Sequence, residues 1–493
     1  MDKALCSLSL EEARKGLLRR DFTAFELVES LLRRIRETEP ALNACLAVFE
    51  DESLKQARAM DESGPDPSKA LWAVPVTLKD VYNLQGAPAT AGSRMLKDYL
   101  PSYEATVVKR LREAGAILIA KTNLDEFAMG SSTEFSAYGP TRNPRNLAVV
   151  PGGSSGGAAA GVAAGQAPGA FGTDTGGSIR QPAALCGCVG LKPSYGRVSR
   201  YGIIAYGSSL DQAGPLARTV SDCGRLLSAV AGPDGLDSTC SRRPPEDYVN
   251  LKEKAPGSLT LALPRELWEA SFHPAVKETL DGALELLKAA GVGLKTVSMP
   301  ALRYSVAVYY ILAAAEASTN LARYDGARYG YRAEKYGDLS DMYKKSRTGG
   351  LGREVRRRIL LGTFVLSSGY YDAYYKKAAQ ARRLIRDEYL KTLEEADFIL
   401  APVSSIPAWP FGSFTEDPLT QYQLDIMTLP LNLAGGPGLS LPCGEGSDGL
   451  PVGVQLMGEP FKERSLLEAG LALERMFPKP PDITRSPLTL PRG

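Results

Sequence analysis

Histidine is almost absent from this sequence: its 493 residues include one, His273. That excludes HExxH helices, His-rich zinc sites and most imidazole-based acid–base catalysis. His273 lies in SFHPAVKE, where His-Pro reads as a helix start, so a surface role is expected for it. The seven cysteines, Cys6, Cys45, Cys186, Cys188, Cys223, Cys240 and Cys443, form one C-x-C and no C-x-x-C. An odd, scattered set reads as reduced, mostly buried thiols rather than a disulfide framework. Charge of one sign is also lacking, since 58 Lys+Arg against 56 Asp+Glu leave +2. That is too little for the basic stripe of an autonomous nucleic-acid binder. No apolar run approaches the roughly 18 residues of a membrane span, and the opening MDKALCSLSLEEARKG lacks the apolar core of a signal peptide. The expectation is a cytoplasmic protein. A P-loop is missing too, so nucleotide chemistry is not expected in this chain.

What is present is an ordinary globular balance, 44% hydrophobic, 23% charged and 8% aromatic, which excludes a disordered or fibrous chain. At about 150 residues per domain the length allows roughly three domains or one large α/β unit. Residues 1–65 read as a helical lead-in, because Ser9-x-x-Glu12 and Thr23-x-x-Glu26 are capping boxes and Phe25, Val28, Leu32 and Ile35 recur at helical spacing. From Leu71 to Thr122 the order is an apolar run (LWAVPVTLKD), a helix over 104–114 ending at Gly115, and a β-branched run (AILIAKT), which is an α/β unit. A glycine-dense segment spans 152–190. TLALPRE then reads as a strand, 274–290 as an amphipathic helix and VGLKTVS as another strand. Residues 301–396 are helical and tyrosine-rich, a block able to cap a site, before the strand-like DFILAP and DGLPVGVQLMG and a last amphipathic helix. With no internal repeat or long linker, one large sheet covered by helices in a single domain over 1–493 is the economical arrangement.

Three segments place polar groups in apolar or glycine-rich settings: VPVTLKD (74–80), VPGGSSGGAAAG (150–161) and GTDTGGSIRQPAALCG (172–187). Lys79 ends a run that reads as a buried strand. Desolvation there would lower its pKa towards 7 at a cost of roughly 4–5 kcal/mol and make it a base. Taken alone, it reads more simply as a lysine reaching from a strand end to water. GGSSGG lacks the motif of a phosphate cradle and precedes a small-residue helix, so its glycines let the backbone carry Ser154 and Ser155 close to another segment. In DTGGS, the Gly176-Gly177 turn aligns successive N–H groups suited to an oxyanion. With no histidine at hand, Ser178 could pass its proton through a second serine to a neutral lysine.

Together these segments resemble the amidase signature family, whose Ser-cisSer-Lys triad maps onto Lys79, Ser154 and Ser178. The resemblance implies Ser178 as nucleophile, Ser154 as relay, Lys79 as base, Ser155 as a supporting hydrogen-bonding serine, and backbone N–H groups of Thr175, Gly176, Gly177 and Ser178 as the oxyanion hole. It also implies the amidase signature fold, one large mixed, twisted β-sheet with helices on both faces (α/β/α), with the triad in a core over 71–223. KTNLDEFAMGSSTE, KPSYGRVSRYG, SSLDQAGP, YYILAAAEASTNLARYDG, EVRRRILLGTF and LPLNLAGGPGLSLP extend the likeness over nearly the whole chain. Within the family they resemble the A subunits of glutamyl-tRNA(Gln) amidotransferases. Ala158 and Ser194 depart from that pattern, where serine and threonine are usual, and neither touches the triad.

The implied activity is that of a glutaminase. Free glutamine offers an α-carboxylate and an α-ammonium that need partners in a dry site. The resemblance assigns Arg358 to the carboxylate as a bidentate fork, Asp425 to the ammonium, and Tyr309 a phenolic hydrogen bond. No metal or cofactor is expected in this chain. ATP and Mg are expected in a partner B subunit, which with a small C subunit would hold misacylated Glu-tRNA(Gln) or Asp-tRNA(Asn) and use the ammonia. A stand-alone amidase acting on another small amide keeps the same triad. A dead scaffold does not fit, since none of the three residues is lost.

Overall fold

The computed structural model describes residues 5–488; the first four residues of the expected lead-in and the last five of the chain lie outside the described residues. Eleven strands form one sheet: β1 (Cys45–Val48), β2 (Pro75–Lys79), β3 (Ile117–Thr122), β4 (Gly169–Asp174), β5 (Val189–Lys192), β6 (Gln212–Ala217), β7 (Thr260–Pro264), β8 (Gly293–Val297), β9 (Phe398–Pro402), β10 (Gly438–Glu445) and β11 (Pro451–Met457). Their order is β1-β3-β2-β4-β6-β5-β10-β11-β9-β7-β8. The sheet is mixed: β2 runs parallel to β3 and β4, β7 parallel to β8 and β9, and antiparallel pairs join these two groups. Every residue of β2, β3, β4, β6, β9 and β11 is buried, so helices cover both faces of the centre. Fully covered strands explain why VPVTLKD and AILIAKT read as continuous apolar runs rather than alternating ones.

The N-terminal caps form as their sequence indicates: Ser9 and Thr23 accept the N–H groups of Glu12 and Glu26, whose carboxylates accept in return. The lead-in is not wholly helical, however. Between the helices Ala24–Leu42 and Glu50–Ser63, β1 joins the sheet edge antiparallel to β3. Four other strands, β4, β5, β6 and β10, lie in glycine-rich stretches with no strand signature. Their glycines answer to packing: a side chain on Gly172 of β4 would meet Ser155 Oγ at 2.7 Å, and one on Gly169 would meet Leu226 at 2.8 Å. His273 caps the helix Pro274–Ala289 and is exposed. Cys6, Cys186, Cys188, Cys223 and Cys443 are buried free thiols, with Cys45 and Cys240 partly so. Among the described residues no helix is long and apolar enough to cross a membrane.

The tyrosine-rich block folds as the helices Ser305–Asn320, Leu339–Gly350, Arg353–Val365 and Tyr375–Thr392. The first and third cross so closely that a Cβ on Gly362 would collide with the Ala314 carbonyl oxygen. That crossing sets Tyr309 and Tyr310 on one helix against Arg358 on the other. Gly362→Ala is therefore expected to destabilise the chain by about 1–3 kcal/mol through overpacking, read as a lowered midpoint in chemical denaturation. An unchanged midpoint would mean that the two helices separate freely.

Candidate active site

Parallel strands present their carboxyl ends on one edge of a sheet, and here β2 and β4 deliver Lys79 and Thr173 side by side. Lys79 is the last residue of β2 and is fully buried. Its Nζ lies 2.7 Å from Ser154 Oγ, 2.9 Å from Ser155 Oγ and 2.9 Å from Thr173 Oγ1. Burial pulls its pKa down to about 7, although the carboxylates of Asp125, Asp211 and Asp174 pull the other way. Three hydroxyls and no directly bonded carboxylate leave the amine stable in its neutral form, able to accept one proton while donating two.

Ser154 and Ser155 end a loop whose Gly153–Ser154 peptide is cis and which leads into the buried helix Gly156–Ala163. The Ser155 N–H donates to the Ser178 carbonyl at 3.1 Å, tying this loop to the turn after β4. In that turn Asp174 accepts the N–H groups of Gly177, at 2.8 Å, and Ile179, at 3.2 Å. Its carboxylate also pairs with Arg180 at 3.1 Å, with both side chains fully buried. Arg180 in turn bonds Gln455 on β11 and Asn432 on the helix Leu429–Ala434. A Cβ on Gly176 would meet the Tyr309 ring at 2.6 Å, and one on Gly177, at φ +126°, would strike Thr428. Both glycines are thus required by close approach and, for Gly177, by backbone conformation. The Gly177 N–H is already committed to Asp174, so within the expected group of oxyanion donors it differs from those of Thr175, Gly176 and Ser178. Thr175 is fixed through its hydroxyl, 2.6 Å from Asp211.

Ser178, Gly176 and Gly177 line a small cavity together with Gly153, Gln181, Ser131, Thr428, Tyr309, Arg358 and Asp425. Within this lining Arg358 donates through Nε to Glu354, at 2.7 Å, and through Nη1 to the Tyr206 hydroxyl, at 2.7 Å. The guanidinium lies over the rings of Tyr206, Tyr310 and Tyr422, 5.2–5.6 Å from their centres. Burial opposes its charge, and Tyr206 and Glu354 more than offset that, so its pKa stands well above the ordinary value. Asp425 accepts from Tyr310 at 2.6 Å and from Ser131 at 2.8 Å, while burial pushes its carboxyl up to about 6. A cation and an anion therefore line one cavity without bonding each other directly. The geometry brings Lys79, Ser154 and Ser155 into one hydrogen-bonded cluster, ties it to Ser178, and places Tyr309, Arg358 and Asp425 around the same space.

Sequence reasoning missed several residues that complete the site: Thr173 on Lys79, Ser131 and Tyr310 on Asp425, and Glu354 and Tyr206 on Arg358. Glu354 was within reach, since it precedes Arg358 by four residues on a helix. Asp125 was also missed. Fully buried, it accepts N–H groups of Thr133, at 2.9 Å, and Phe135, at 3.2 Å, and shapes the wall beside Gly153.

A protein-family model described as Amidase matches residues 26–467. The chain belongs to the amidase family. Among its relatives, the glutamyl-tRNA(Gln) amidotransferase A subunit of Nitratidesulfovibrio vulgaris is 54% identical over 96% of this chain and 98% of that protein. The A subunit of the same name from Roseiflexus is 50% identical over 96% and 97%. The crystal structure of the glutamyl-tRNA(Gln) amidotransferase A subunit from Thermotoga maritima superposes with a TM-score of 0.80 at 39% identity, covering 98% of this chain and 99% of that one. The peptide amidase of Stenotrophomonas maltophilia superposes at 0.81 with 30% identity, over 96% and 98%. The fold is thus shared between a glutamyl-tRNA(Gln) amidotransferase subunit and a peptide amidase.

A base with a pKa near 7 works only above that value. Glutamine hydrolysis is accordingly expected to rise through about pH 7 and to fall on the acid side as Lys79 becomes protonated. Lys79→Ala should lower the rate by about 10²- to 10⁴-fold, and Lys79→Arg should not restore it because a guanidinium stays protonated. A flat profile from pH 6 to 9, or an active arginine variant, would contradict the assignment. Asp425, with its carboxyl near 6, also protonates on the acid side, but that loss should appear with glutamine and not with a neutral amide.

Proposed function

We propose that this chain is the glutaminase subunit of a tRNA-dependent amidotransferase, hydrolysing glutamine to glutamate and ammonia. The observation that carries the reading is one cavity lined both by a serine on a glycine turn and by two opposite charges. A zwitterionic amino acid bearing a side-chain amide has that charge pattern. Its α-carboxylate would face Arg358, whose Nε is held by Glu354 and whose Nη1 already donates one N–H to Tyr206, so Nη2 and the second N–H of Nη1 would form the fork. Its α-ammonium would face Asp425, with the Tyr309 hydroxyl beside it. The names of the relatives, over nearly the whole chain, support the A-subunit reading in particular.

In the proposed reaction the Ser178 oxygen attacks the amide carbon while its proton passes to Ser154, whose own proton passes to neutral Lys79. N–H groups of the Thr175–Ser178 turn stabilise the oxyanion, with Gly177 the weakest contributor because it already bonds Asp174. Collapse of the tetrahedral intermediate breaks the C–N bond, and the stored proton returns to the leaving nitrogen to give ammonia and a glutamyl ester on Ser178. Water activated along the same relay then releases glutamate. Ser155 and Thr173 hold the amine in line throughout. The ammonia would be consumed in a partner B subunit, where ATP and Mg activate Glu-tRNA(Gln) or Asp-tRNA(Asn), with a C subunit completing the complex. The helical block over 301–396 carries Tyr309 and Arg358 and is the natural element for linking the two sites.

In the reconstituted complex, Ser178→Ala is expected to abolish glutamine-dependent tRNA amidation and leave ammonia-dependent amidation intact. Glutamine hydrolysis by the parent chain should rise when B and C subunits, ATP and misacylated tRNA are added. Equal steady-state rates in every mixture would leave a stand-alone amidase instead.

Arg358→Ala or Asp425→Ala should each weaken kcat/KM for glutamine by about 2–5 kcal/mol, since each leaves a ligand charge unpaired in a dry cavity. Hydrolysis of a neutral aliphatic amide should suffer much less, and equal losses on both substrates would assign these residues to the fold.

A further inference from the structure

The segment between Asn123 and Thr133 serves both ends of the cavity. Asp125 gathers the amides that wall the Gly153–Ser154 loop, and its neighbour Glu126 turns the other way. Glu126 is 3% exposed, and its Oε2 accepts the Gly352 N–H at 2.8 Å. Gly352 is the N-cap residue of the helix Arg353–Val365, with φ −70° and ψ 170°, and as a glycine it supplies no capping side chain. Glu126 takes, from a distant part of the chain, the part that an N3 carboxylate plays in a capping box, accepting the N-cap N–H that the helix itself cannot satisfy. The other carboxylate oxygen accepts from Ser93 Oγ, and that hydroxyl also lies 3.2 Å from the Gly350 carbonyl, just before the helix. A Cβ on Gly352 would strike Glu126 Oε2, so the approach leaves no room for another residue. Glu354 lies in the first turn of this helix and Arg358 one turn beyond it.

We infer that Glu126 is a positioning residue for glutamine specificity: it fixes the start of the Arg353–Val365 helix relative to the catalytic loop and thereby sets the distance between Arg358 and Ser178. The inference rests on the glutaminase reading, because the distance matters only for a substrate whose α-carboxylate reaches Arg358. Burial pushes the Glu126 carboxyl up to about 7, against its bonds to Ser93 and Gly352 and the nearby charges of Arg356 and Arg94. Either protonation state keeps an oxygen for the Gly352 N–H. The positioning contact is therefore a hydrogen bond of defined length, and a side-chain amide can replace it.

The test compares Glu126→Ala, Glu126→Asp and Glu126→Gln in the full chain with its partner subunits, on glutamine and on a neutral aliphatic amide. Glu126→Ala and Glu126→Asp should lower kcat/KM for glutamine at least tenfold, mainly through KM, with less than threefold change on the neutral amide. Glu126→Gln should stay within threefold of the parent on both. Hydrogen exchange followed by mass spectrometry should show faster exchange over residues 352–358 in the alanine and aspartate variants only. Equal losses on both substrates, failure of the glutamine variant to rescue, or unchanged exchange over 352–358 would overturn the inference. The exchange readout needs no substrate, so it judges Glu126 even if the parent proves indifferent to glutamine, an outcome that would refute the glutaminase reading instead. Should the alanine variant fail to fold, the aspartate variant carries the same comparison.

Discussion

The buried pair between Asp174 and Arg180 is the constraint on which the site depends. Burial alone would raise the Asp174 carboxyl, and the Arg180 guanidinium overrides it and holds the pKa well below the usual carboxylate range. The pair is therefore intact at neutral pH, and its contribution would be lost only as pH falls through that depressed value. Because Asp174 also accepts the N–H groups of Gly177 and Ile179, the ion pair dictates the path of the chain on either side of Ser178. Because Arg180 reaches Gln455 and Asn432, the same pair anchors that path to β11 and to the helix Leu429–Ala434. Leaving either charge alone in this interior would cost on the order of 3–5 kcal/mol, which holds the Ser178 turn to its surroundings.

The lysine cluster is expensive in the same sense. A fully buried amine with its pKa lowered to about 7 destabilises the fold by roughly 4–5 kcal/mol below that pH, and the cost is relieved as pH rises from about 7 towards 10.5. Three hydroxyls offset part of it by supplying hydrogen bonds without supplying charge. A carboxylate in their place would hold the amine protonated and useless as a base. Small residues make the cluster possible: a side chain on Gly157 would press on the backbone oxygens of Ala44 and Asn123 at 2.5 Å, and one on Gly172 would displace Ser155. Glycine density in this region is thus a packing requirement for bringing polar side chains together.

Elsewhere in the cavity wall, the two charges are held in place before any ligand arrives. Arg358 is flanked by three tyrosine rings and tethered to Glu354, and Asp425 is tethered to Tyr310 and Ser131. Neither has to abandon a partner of opposite charge across the cavity to receive a ligand, which limits the reorganisation that binding requires. The crossing of the helices at Gly362 and the contact of Glu126 with Gly352 tie these residues to the rest of the cavity wall.

Local chemistry in the sequence determined a good deal. Capping boxes at Ser9 and Thr23, apolar runs at β2 and β3, and the helix after His273 are all decided by nearest neighbours, and they appear where the pattern puts them. The candidates Lys79, Ser154 and Ser178 were legible because glycine turns and a lysine in an apolar strand are locally unusual. Strands β4, β5, β6 and β10 were not, since their glycines suppress the alternation that marks a strand and answer to helices packed on them from elsewhere. The same holds for Thr173, Asp125, Tyr206 and Glu126: threonine, tyrosine and acidic residues are common, and what distinguishes these is a partner up to 226 positions away. Sequence alone nominated candidate groups. Only the tertiary structure decided which of them share a dry space, because burial and long-range contact, not residue type, set their charge and their aim.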